Sequence, residues 1–584
     1  AAADDPASQL LRSQAISNLQ GFLSEASRIT AALSDLQKQA DTRIGADVSQ
    51  TNSLLQQIDS LNADIIRAKS VGADSTGSEN IQNNLINQLS ELMNVQVQAR
   101  PGGGVVVRTV DGTELAGDGA ATISYVRSDT AVGYLQVTAY GASAPSLTAL
   151  ITGGELRGLL DLRDRQLPGL SDQLGEFVSA AVDEINRAHN ASSAVPAPAT
   201  LTGSNIGLDL PTAISGFSGT STVAIVDPTG VVQHTVAIDF TAGTMSLDGG
   251  AAAAFTPATF LASLNAQLGA NGSASFSNGV LSISAAGGNG VAIADDATTP
   301  SMKAGKGFSQ FFGLNDLIRS TGFSYETGLS ATDPHGFTAG DQIQLRLTDS
   351  TGARVRDLTI SVPAGGTMQD LLDALNDNAT GVGLYGQFTL DAYGRMTFAS
   401  TPSANVTLSV LSDQTSRGAG GPSMSELFGI GAQERGGQAS RYSIDSAIQQ
   451  NPSRLAFAQL DLTVPAGTPG LALGDGRGAV ALALAGDVTT SFGAAGDFGA
   501  LSMTVSRYAS EFSGAIGRKA ANADSARTNA LSVQSEADSR RQSVEGVNLD
   551  EELVNMTTYQ QAFNASARVI QAAKDMYDVL VGMV

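Results

Sequence analysis

Residues with the chemistry of a catalytic or metal site are scarce in this chain of 584 residues. Histidine occurs only at positions 189, 234 and 335, and none has a second histidine or a carboxylate at metal-ligand spacing, so the H-E-x-x-H zinc motif is absent. The chain has no cysteine, which removes disulfides, thiol nucleophiles and cysteine-ligated metals. We expect a surface or capping role for each histidine, with His189 at a helix end, where a positive charge suits the helix dipole.

The remaining motifs point to structure rather than to chemistry. No G-x-S-x-G sequence is present, so serine hydrolase chemistry has no nucleophile. The glycine clusters at 102–104, 287–290 and 474–478 are not followed by G-K-[ST] and are interpreted as turns rather than as a phosphate-binding loop. The paired acids Asp295 and Asp296 fall in a predicted loop without a visible partner. We therefore expect no enzyme activity, no cofactor and no metal site.

Composition and charge exclude several classes of partner. Lys and Arg number 33 and Asp and Glu 56, which gives a net charge of −23. Such a surface repels phosphate backbones and anionic lipids, so we expect no nucleic-acid and no membrane partner. No segment approaches the roughly 18 consecutive apolar residues of a membrane span, and the start AAADDPASQLL lacks the features of a secretory signal peptide. The protein is therefore cytoplasmic, or leaves the cell by a route that the sequence does not show, or its start is missing.

The N-terminal third is predicted to be mostly helical. A long helix over 6–71 would be capped by Asp5, with Pro6 at its first position, and a second helical stretch follows over 80–93. Their apolar residues recur at gaps of three and four, the spacing of a coiled coil. These residues are Leu33, Leu36, Ala40, Ile44, Leu54, Ile58, Leu61, Ile65, Ile81, Leu85, Leu89 and Leu92.

Strands and a further helix follow. Strands are predicted at 95–98, 105–110, 122–126 and 134–140, and Asp111-Gly112 is a favourable two-residue hairpin turn, so a small antiparallel sheet is expected beside the helices. Another long helix is predicted over about 154–190, with a kink at Pro168.

The middle of the chain contains a diverged internal repeat. After a linker at 196–200, each copy has a strand pair around an Asp-x-Thr-Gly turn, a short helix, a hairpin and an aromatic-Gly-aliphatic ending. The first copy has these features at 227–230, 259–268, 276–284 and 311–316, and the second at 349–352, 367–376, 390–400 and 427–431. Phe312 and Phe428 are expected to fill the cores of the two units.

The C-terminal part returns to helix. One polar helix is predicted over 501–546, and a last helix begins near Asp550, where acidic side chains suit the helix dipole. Apolar residues of the last helix fall seven apart, with a second row four residues on, which is a heptad seam. They are Leu549, Leu553, Met556, Phe563, Ala567, Ile570, Tyr577, Val581 and Val584. Two interpretations stay open and are compatible: this stripe packs on the protein's own first helix, or it packs against neighbouring subunits as an assembly helix.

These features define an α+β fold. Long coiled-coil-like helices come from both chain ends, beside a small β-hairpin region, and a β-rich middle domain of two related units is inserted between them. The predicted parts are 1–194 and 438–546 for the helical domain, 195–320 and 321–437 for the two β-rich units, and 547–584 for the terminal assembly helix.

The last helix also carries a resemblance to a known family. The string GVNLDEE (546–552) followed by YQQAFNASARVIQ (559–571) resembles the C-terminus of the flagellar axial proteins, which comprise rod, hook and hook-associated proteins. Residues 153–190 and 85–117 resemble the long helix and the helix-hairpin segment of the hook-associated protein 1 family, and the middle units are loosely similar to repeats inserted in flagellins and hook-associated proteins. That family begins with a helix rich in small residues, which does not precede Ala1 here. We therefore expect the sequence to lack the N-terminal partner of its last helix, and that helix to be disordered or paired with another copy.

The resemblance implies a structural component of the bacterial flagellum that forms the junction layer between hook and filament. It implies export through the flagellar type III apparatus to the cell exterior, self-association in a helical layer, and contacts with the hook protein and with the second junction protein, hook-associated protein 3. It also implies that a cytoplasmic export chaperone holds the C-terminal helix. Two alternatives remain open: a flagellin-type filament subunit, and an adhesive or glycan-binding function of the surface-exposed middle domain.

Overall fold

The computed structural model of the chain describes residues 4–126, 133–139 and 142–581. It confirms a mixed α+β fold, in which long helices lie near both ends of the chain and small antiparallel sheets lie between them in sequence. The chain divides into two compact units, residues 1–509 and residues 510–584.

Two helices open the first unit. They are α1 (Gln9–Ser70) and α2 (Thr76–Leu92). α1 begins three residues later than predicted, because the buried side chain of Arg12 donates to the carbonyl of Pro6 at 2.8 Å and the residues around Pro6 form a turn. Most of the predicted apolar stripe is buried in this unit. Two of its members, Leu36 and Ile81, lie at the surface and are 46% and 55% exposed.

Six strands follow and form two three-stranded antiparallel sheets. They are β1 (Gln96–Ala99), β2 (Val105–Arg108), β3 (Glu114–Ala116), β4 (Thr122–Val126), β5 (Tyr134–Ala139) and β6 (Ala142–Ser146). Asp111 and Gly112 lie in the β2–β3 connection, where Gly112 has a φ of 92° and the Asp111 carboxylate accepts the N–H of Thr113 at 3.2 Å. The connection spans 109–113 rather than two residues, because a bulge at Val107/Arg108 shifts the register.

The predicted helix over 154–190 is interrupted just before Pro168. It consists of α3 (Glu155–Asp161), a π-helical turn (Leu162–Gln166) and α4 (Leu167–Asn190). Proline cannot donate a helical hydrogen bond, which accounts for an irregular turn at this point. The π turn carries Arg163, 4% exposed, whose guanidinium donates to the carbonyl of Gly133 at 2.6 Å and pairs with Asp41 at 3.2 Å.

Residues 196–200, at the start of the first β-rich segment, hydrogen-bond to its strands and do not form a free linker. The N–H of Val291 donates to the carbonyl of Pro198 at 2.8 Å, and the N–H of Ala285 donates to that of Ala199 at 2.9 Å, so the predicted linker at 196–200 is part of the β structure. The elements of the segment are β7 (Thr200–Thr202), α5 (Leu210–Ile214), β8 (Thr220–Val226), β9 (Val232–Asp239), β10 (Thr244–Leu247), β11 (Ala253–Ala254), α6 (Phe260–Leu268), β12 (Gly272–Ser277), β13 (Val280–Ala285), β14 (Gly290–Asp295) and α7 (Phe308–Phe312). They form an antiparallel sheet in the order β11-β10-β9-β8-β14 and a smaller one in the order β12-β13-β7.

The second β-rich segment repeats this order of elements in shorter form. β15 (Ile318–Ser320) lies between the two segments and pairs with residues 442–444. The elements of the second segment are β16 (Gln342–Thr348), β17 (Arg354–Ser361), α8 (Met368–Leu375), β18 (Gly386–Leu390), β19 (Met396–Ser400), β20 (Thr407–Asp413), α9 (Met424–Phe428) and α10 (Ala432–Gly436). β17-β16-β20 form one sheet and β18-β19 a hairpin.

Equivalent turns of the two segments make equivalent contacts. The Asp227 carboxylate accepts backbone N–H groups two and four residues on, at 2.8 and 3.0 Å, and the Asp349 carboxylate does so at the same two distances. Phe312 and Phe428 are both fully buried. One hydrophobic core runs through both segments without a break at residue 320, and the division into two units stays a prediction.

The last elements of the first unit bring the chain back to α4. Ser193 and Ala458 exchange backbone hydrogen bonds of 2.6 and 3.1 Å, so the start and end of the inserted region lie side by side. The elements in this part of the chain are β21 (Tyr442–Ile444), α11 (Ser446–Gln450), α12 (Arg477–Leu484), β22 (Thr489–Phe492) and β23 (Leu501–Thr504), and then α13 (Val505–Glu545), of which residues 505–509 belong to the first unit and the rest to the second. The predicted start of α13 at 501 was wrong, because residues 501–504 pair with β22 as a strand. Tyr508, fully buried, then stacks on Phe492 with ring centroids 4.2 Å apart.

Candidate assembly surface

The second unit ends in α14 (Leu549–Val581), a helix without glycine or proline inside. The side-chain oxygen of Asn548 accepts the N–H of Asp550 at 3.1 Å, and its backbone carbonyl accepts the N–H of Glu552 at 3.0 Å, so Asn548 caps the helix. Asp550, Glu551 and Glu552 place negative charge in the first turn, where the helix dipole favours it. The helix begins where the acidic residues predict.

The predicted assembly residues lie exposed along one face of α14. Residues seven apart on a helix differ by only about 20° in direction, so the predicted residues form a nearly straight row. The exposed fractions are 80% for Leu549, 59% for Leu553, 50% for Met556, 75% for Phe563, 70% for Ile570 and 65% for Tyr577, and Ala567 is exposed as well. The side chain of Val581 and the whole of Val584 lie outside the described part of the chain.

Sequence reasoning missed two features of this helix. Tyr559, 75% exposed, lies three residues after Met556 and four before Phe563, so it belongs to the same face. The three-residue spacing from Met556 is the signal in the sequence that identifies Tyr559. The predicted second row follows a spacing of four instead and so omits this residue. A second apolar group lies more than about 100° around the helix from this face. It consists of Val554, Val569, Met576 and Val579, each 64% to 69% exposed. α14 therefore has apolar residues on two sides, a pattern typical of helices buried among several neighbours.

His189 is a buried structural residue, which corrects the expected surface or capping role. It is fully buried; its Nδ1–H donates to the carbonyl of Asn315 at 2.6 Å and its Nε2 accepts the N–H of Ala456 at 2.9 Å. Burial lowers the pKa of His189 to about 4, so the ring is neutral near neutral pH. The ring joins the end of α4 to two distant parts of the chain.

The other two histidines also have local structural contacts. His335 is buried, against expectation, and its ring contacts the carbonyl of Gly365 at 2.7 Å and the N–H of Phe337 at 3.0 Å. His234 is at the surface, as expected, and pairs with Asp248 at 2.9 Å.

The acid pair at 295–296 has partners within its own loop, contrary to expectation. Asp295 accepts the hydroxyl of Ser301 at 2.5 Å, and Asp296 accepts the backbone N–H groups of Thr298 and Thr299, both at 2.8 Å. Over residues 4–126, 133–139 and 142–581, no three or more His, Asp and Glu side chains come together as ligands for a metal ion. Within those same ranges, no helix combines the length and apolarity needed to span a bilayer.

Two family models match the chain, one at each end. Residues 1–203 match the helical domain of the flagellar hook-associated protein FlgK, and residues 541–583 match the C-terminal family of the flagellar basal body rod proteins FlgEFG. The second match contains the whole described length of α14. The described surface of α14 therefore coincides with a segment shared by flagellar rod proteins.

Individual relatives agree with these matches. Flagellar hook-associated protein 1 of Escherichia coli (strain K12) is 29% identical over 197 residues, which cover 32% of this chain and 35% of the relative. The same protein of Salmonella typhimurium is 29% identical over 195 residues, covering 32% of this chain and 34% of that protein. The chain thus spans about a third of the length of the curated relatives that it matches.

A solved structure also aligns with the chain. It is that of the flagellar hook junction protein FlgK from Burkholderia pseudomallei, which covers 92% of this chain and 91% of its own, with 17% identity and a TM-score of 0.38. The sequence matches at the two ends, together with the curated relatives, show that this chain is similar to flagellar hook-associated protein 1 over its N-terminal helical part and to flagellar rod proteins over α14.

Proposed function

We propose that this protein is a structural component of the bacterial flagellum and forms the layer that joins hook and filament. The observation that carries the proposal is α14, which exposes apolar residues on two sides along a segment shared with flagellar rod proteins. A subunit in a helical layer has neighbours on more than one side, so a two-sided helix fits such a layer better than a single helix pair does. The proposed role is geometric and involves no catalysis.

Burial of the α14 side chains supplies the cohesion of this layer. Removing one large apolar side chain from water stabilises an assembly by about 1.5–3 kcal/mol. Leu549, Met556, Phe563 and Ile570 are each at least half exposed before assembly. Their heptad spacing sets the register in which neighbouring helices pack, as in a coiled coil.

The partners follow from this role. We propose that α14 associates with copies of itself within the layer, and that the layer contacts the hook protein on one side and hook-associated protein 3 on the other. Before assembly, the exposed helix is a suitable ligand for the groove of a cytoplasmic export chaperone. The protein would then leave the cell through the flagellar type III apparatus and act outside it, on the flagellum.

The proposal is tested by mixing the purified protein with isolated hooks and examining them by electron microscopy. A thin layer at one end of each hook is expected. Long filaments would instead identify a flagellin-type subunit, and hooks without any added layer would contradict the junction role and direct attention to an adhesive function of residues 195–437.

A variant pair links the result to α14. Phe563→Asp places a charge on the apolar face and is expected to abolish the layer, because a buried unpaired carboxylate is strongly unfavourable. Phe563→Leu keeps an apolar side chain at the same position and is expected to bind hooks normally. Equal binding by both variants would contradict the role of this face.

A further inference from the structure

The outward face of the sheet β12-β13-β7 consists almost entirely of hydroxyl side chains. Leu281 and Ile283 of its middle strand are buried in the hydrophobic core, and side chains alternate between the two faces of a sheet. Apart from Val280 beside the turn, every outward residue is therefore a serine or a threonine. These residues form the hydroxyl face: Thr200, Thr202, Ser273, Ser275, Ser277, Ser282 and Ser284.

The strand register arranges these hydroxyl groups in rows that cross all three strands. The rows are Ser273–Ser284–Thr200 and Ser275–Ser282–Thr202. Neighbouring strands lie about 4.8 Å apart, and residues two apart along a strand lie about 6.7 Å apart. The face is thus a regular array that measures about 10 Å by about 14 Å between its outermost residues.

Most hydroxyl groups of the two rows are free to bind a ligand. Thr200 and Ser284 bond to each other, with their oxygens 2.9 Å apart. Within residues 4–126, 133–139 and 142–581, the other hydroxyl groups of the rows have no protein partner, and these belong to Thr202, Ser273, Ser275 and Ser282. Each hydroxyl group can donate one hydrogen bond and accept two, so the face offers donors and acceptors together.

The hydroxyl face is also neutral. The sequence has no lysine or arginine between Arg187 and Lys303, and the strands β7, β12 and β13 contain no charged residue. At the border of the face, Arg319 donates to the backbone carbonyl of Thr202 at 2.7 Å, but its charge is paired with Asp445 at 2.9 Å. A charged ligand would lose its hydration here without meeting an opposite charge.

The equivalent hairpin of the second β-rich segment shows that the fold does not require this array. The outward residues of β18 and β19 are Gln387, Thr389, Thr397 and Ala399. The hydroxyl groups of Thr389 and Thr397 lie 3.2 Å apart and bond to each other, and β18-β19 has no third strand. The same hairpin therefore forms without rows of free hydroxyl groups, which points to a ligand rather than to folding.

The size of the hydroxyl face favours a small polar ligand over a protein. Each partner in a stable protein–protein interface buries about 800 Å², whereas the face covers roughly 150 Å² between its outermost residues. An apolar partner would also leave the hydroxyl groups without hydrogen bonds, which is unfavourable. A neutral sugar chain carries its own closely spaced donors and acceptors and has no charge to desolvate.

We propose that the hydroxyl face binds a neutral polysaccharide. Sugar hydroxyl groups exchange hydrogen bonds with the free hydroxyl groups of the two rows, and the rows hold successive sugar units across the strands. This binding site lies in the first β-rich segment and does not rest on the role proposed for α14.

The test is saturation-transfer difference NMR on the full chain, a method suited to weak binding of small ligands by large proteins. The probes are the neutral sugars cellohexaose, maltohexaose and mannohexaose, with acidic hexagalacturonate as the comparison. We expect transfer to at least one neutral sugar and none to hexagalacturonate. A row variant with Thr202→Val, Ser275→Ala and Ser282→Ala loses three hydroxyl groups, so we expect it to bind that sugar about ten-fold more weakly.

A matched variant on the second segment controls for the loss of surface hydroxyl groups. Thr389→Val with Thr397→Val is expected to bind the sugar as the unchanged chain does. The row variant should still form layers on hooks, because its changes lie outside α14. No transfer to any neutral sugar, preferred binding of hexagalacturonate, or equal binding by the row variant and the unchanged chain would each overturn the proposal.

Two further measurements keep the result decisive. If circular dichroism shows that the row variant does not fold, a nitroxide label at Ser277→Cys replaces it, which is possible without background because the chain has no cysteine. This label is expected to broaden the sugar signals, whereas a label at Ser24→Cys on α1 is not, and equal broadening by both would overturn the proposal. Light scattering that showed a dimer of the unchanged chain but not of the row variant would assign the face to a second copy instead.

Discussion

Asn265 and Asn376 make the same pair of hydrogen bonds in the two β-rich segments. Asn265, near the end of α6, donates to the carbonyl of Ala274 at 2.8 Å and accepts its N–H at 2.7 Å. Asn376, just after α8, donates to the carbonyl of Phe388 at 2.9 Å and accepts its N–H at 2.7 Å. In both segments the amide thus ties a short helix to the first strand of the following hairpin.

This relationship predicts similar losses of stability for two distant substitutions. Asn265→Ala and Asn376→Ala each leave a backbone N–H and a carbonyl of a strand without their partner, so we expect each to lower the free energy of unfolding by about 1–3 kcal/mol. Urea denaturation measures the change. Gln369→Ala, which removes an exposed bond to Asp373 on α8, is the control and should alter stability by less than about 0.5 kcal/mol. A loss at only one of the two asparagines would show that the contacts are not energetically equivalent.

The two apolar sides of α14 predict that both are needed for assembly. Met576→Asp, on the second side, should prevent layer formation as Phe563→Asp does, because each places a charge where a neighbour packs. Both residues are at least 69% exposed in the unassembled chain, so neither change should move the melting temperature measured by calorimetry. Hook binding scored by electron microscopy, with Phe563→Leu alongside as the control, checks the prediction. Normal layers from Met576→Asp would mean that α14 uses one side only.

The neutral ring of His189 predicts a loss of stability in acid. Its pKa is about 4 in the folded chain against 6.5 as the ordinary value. Between these values the unfolded chain binds the extra proton, so the contribution of His189 to stability falls as the pH drops from 6.5 towards 4, by at most about 1.4 kcal/mol per pH unit.

Variants isolate this contribution from that of other groups. Asp316, with its pKa raised to about 6, has the opposite effect on the pH dependence of stability. As the pH falls below about 6, the folded chain takes up a proton at Asp316 before the unfolded chain does, and this favours the folded state. Urea unfolding at several pH values should therefore be compared between His189→Gln and the unchanged chain. His189→Gln is expected to be less stable near neutral pH and to show a shallower loss in acid, whereas the surface change His234→Gln should follow the unchanged chain. Identical slopes for all three would refute the assignment.

We expect position 230, which is glycine, to tolerate even alanine poorly. Its φ is 92°, and a Cβ atom there would lie 2.2 Å from the backbone oxygen of Leu471. Gly249 has a φ of 71° with open space around it. A left-handed backbone costs an alanine about 1–2 kcal/mol, so Gly249→Ala should lose about that much, and Gly230→Ala clearly more because a backbone must also move. Thermal unfolding compares the stability of the two variants. Equal losses of stability would mean that the backbone around Leu471 moves away from the new methyl group without a measurable cost.

The regular elements were largely predictable from periodicity, and their exceptions have physical causes. The long helices could be predicted because their apolar residues repeat at helical spacing over many turns. The strand Leu501–Thr504 could not, since four residues fit either period and its partner Thr489–Phe492 decides the outcome. The burial of His189 depends on Asn315 and Ala456, which are 126 and 267 positions away, and no local pattern contains that information.

The candidate surface was predictable in part for a similar reason. The row from Leu549 to Tyr577 repeats every seven residues, so the sequence alone places it on one face. Val554, Val569, Met576 and Val579 keep no such constant spacing, and their common exposure is visible only once the helix is built. The hydroxyl face was invisible because Thr200 lies 84 positions from Ser284.

The pairing of Ser193 with Ala458 makes the inserted region a closed loop as seen from the rest of the first unit. The entropy of closing a loop rises only logarithmically with its length, by about 0.6 kcal/mol for each doubling. The helices on either side therefore tolerate large changes in the size of what lies between 194 and 457, provided that the two ends still meet. Changes in the length of this region should therefore be tolerated best where they spare its contacts with α1, with α4 and with residues 458–471.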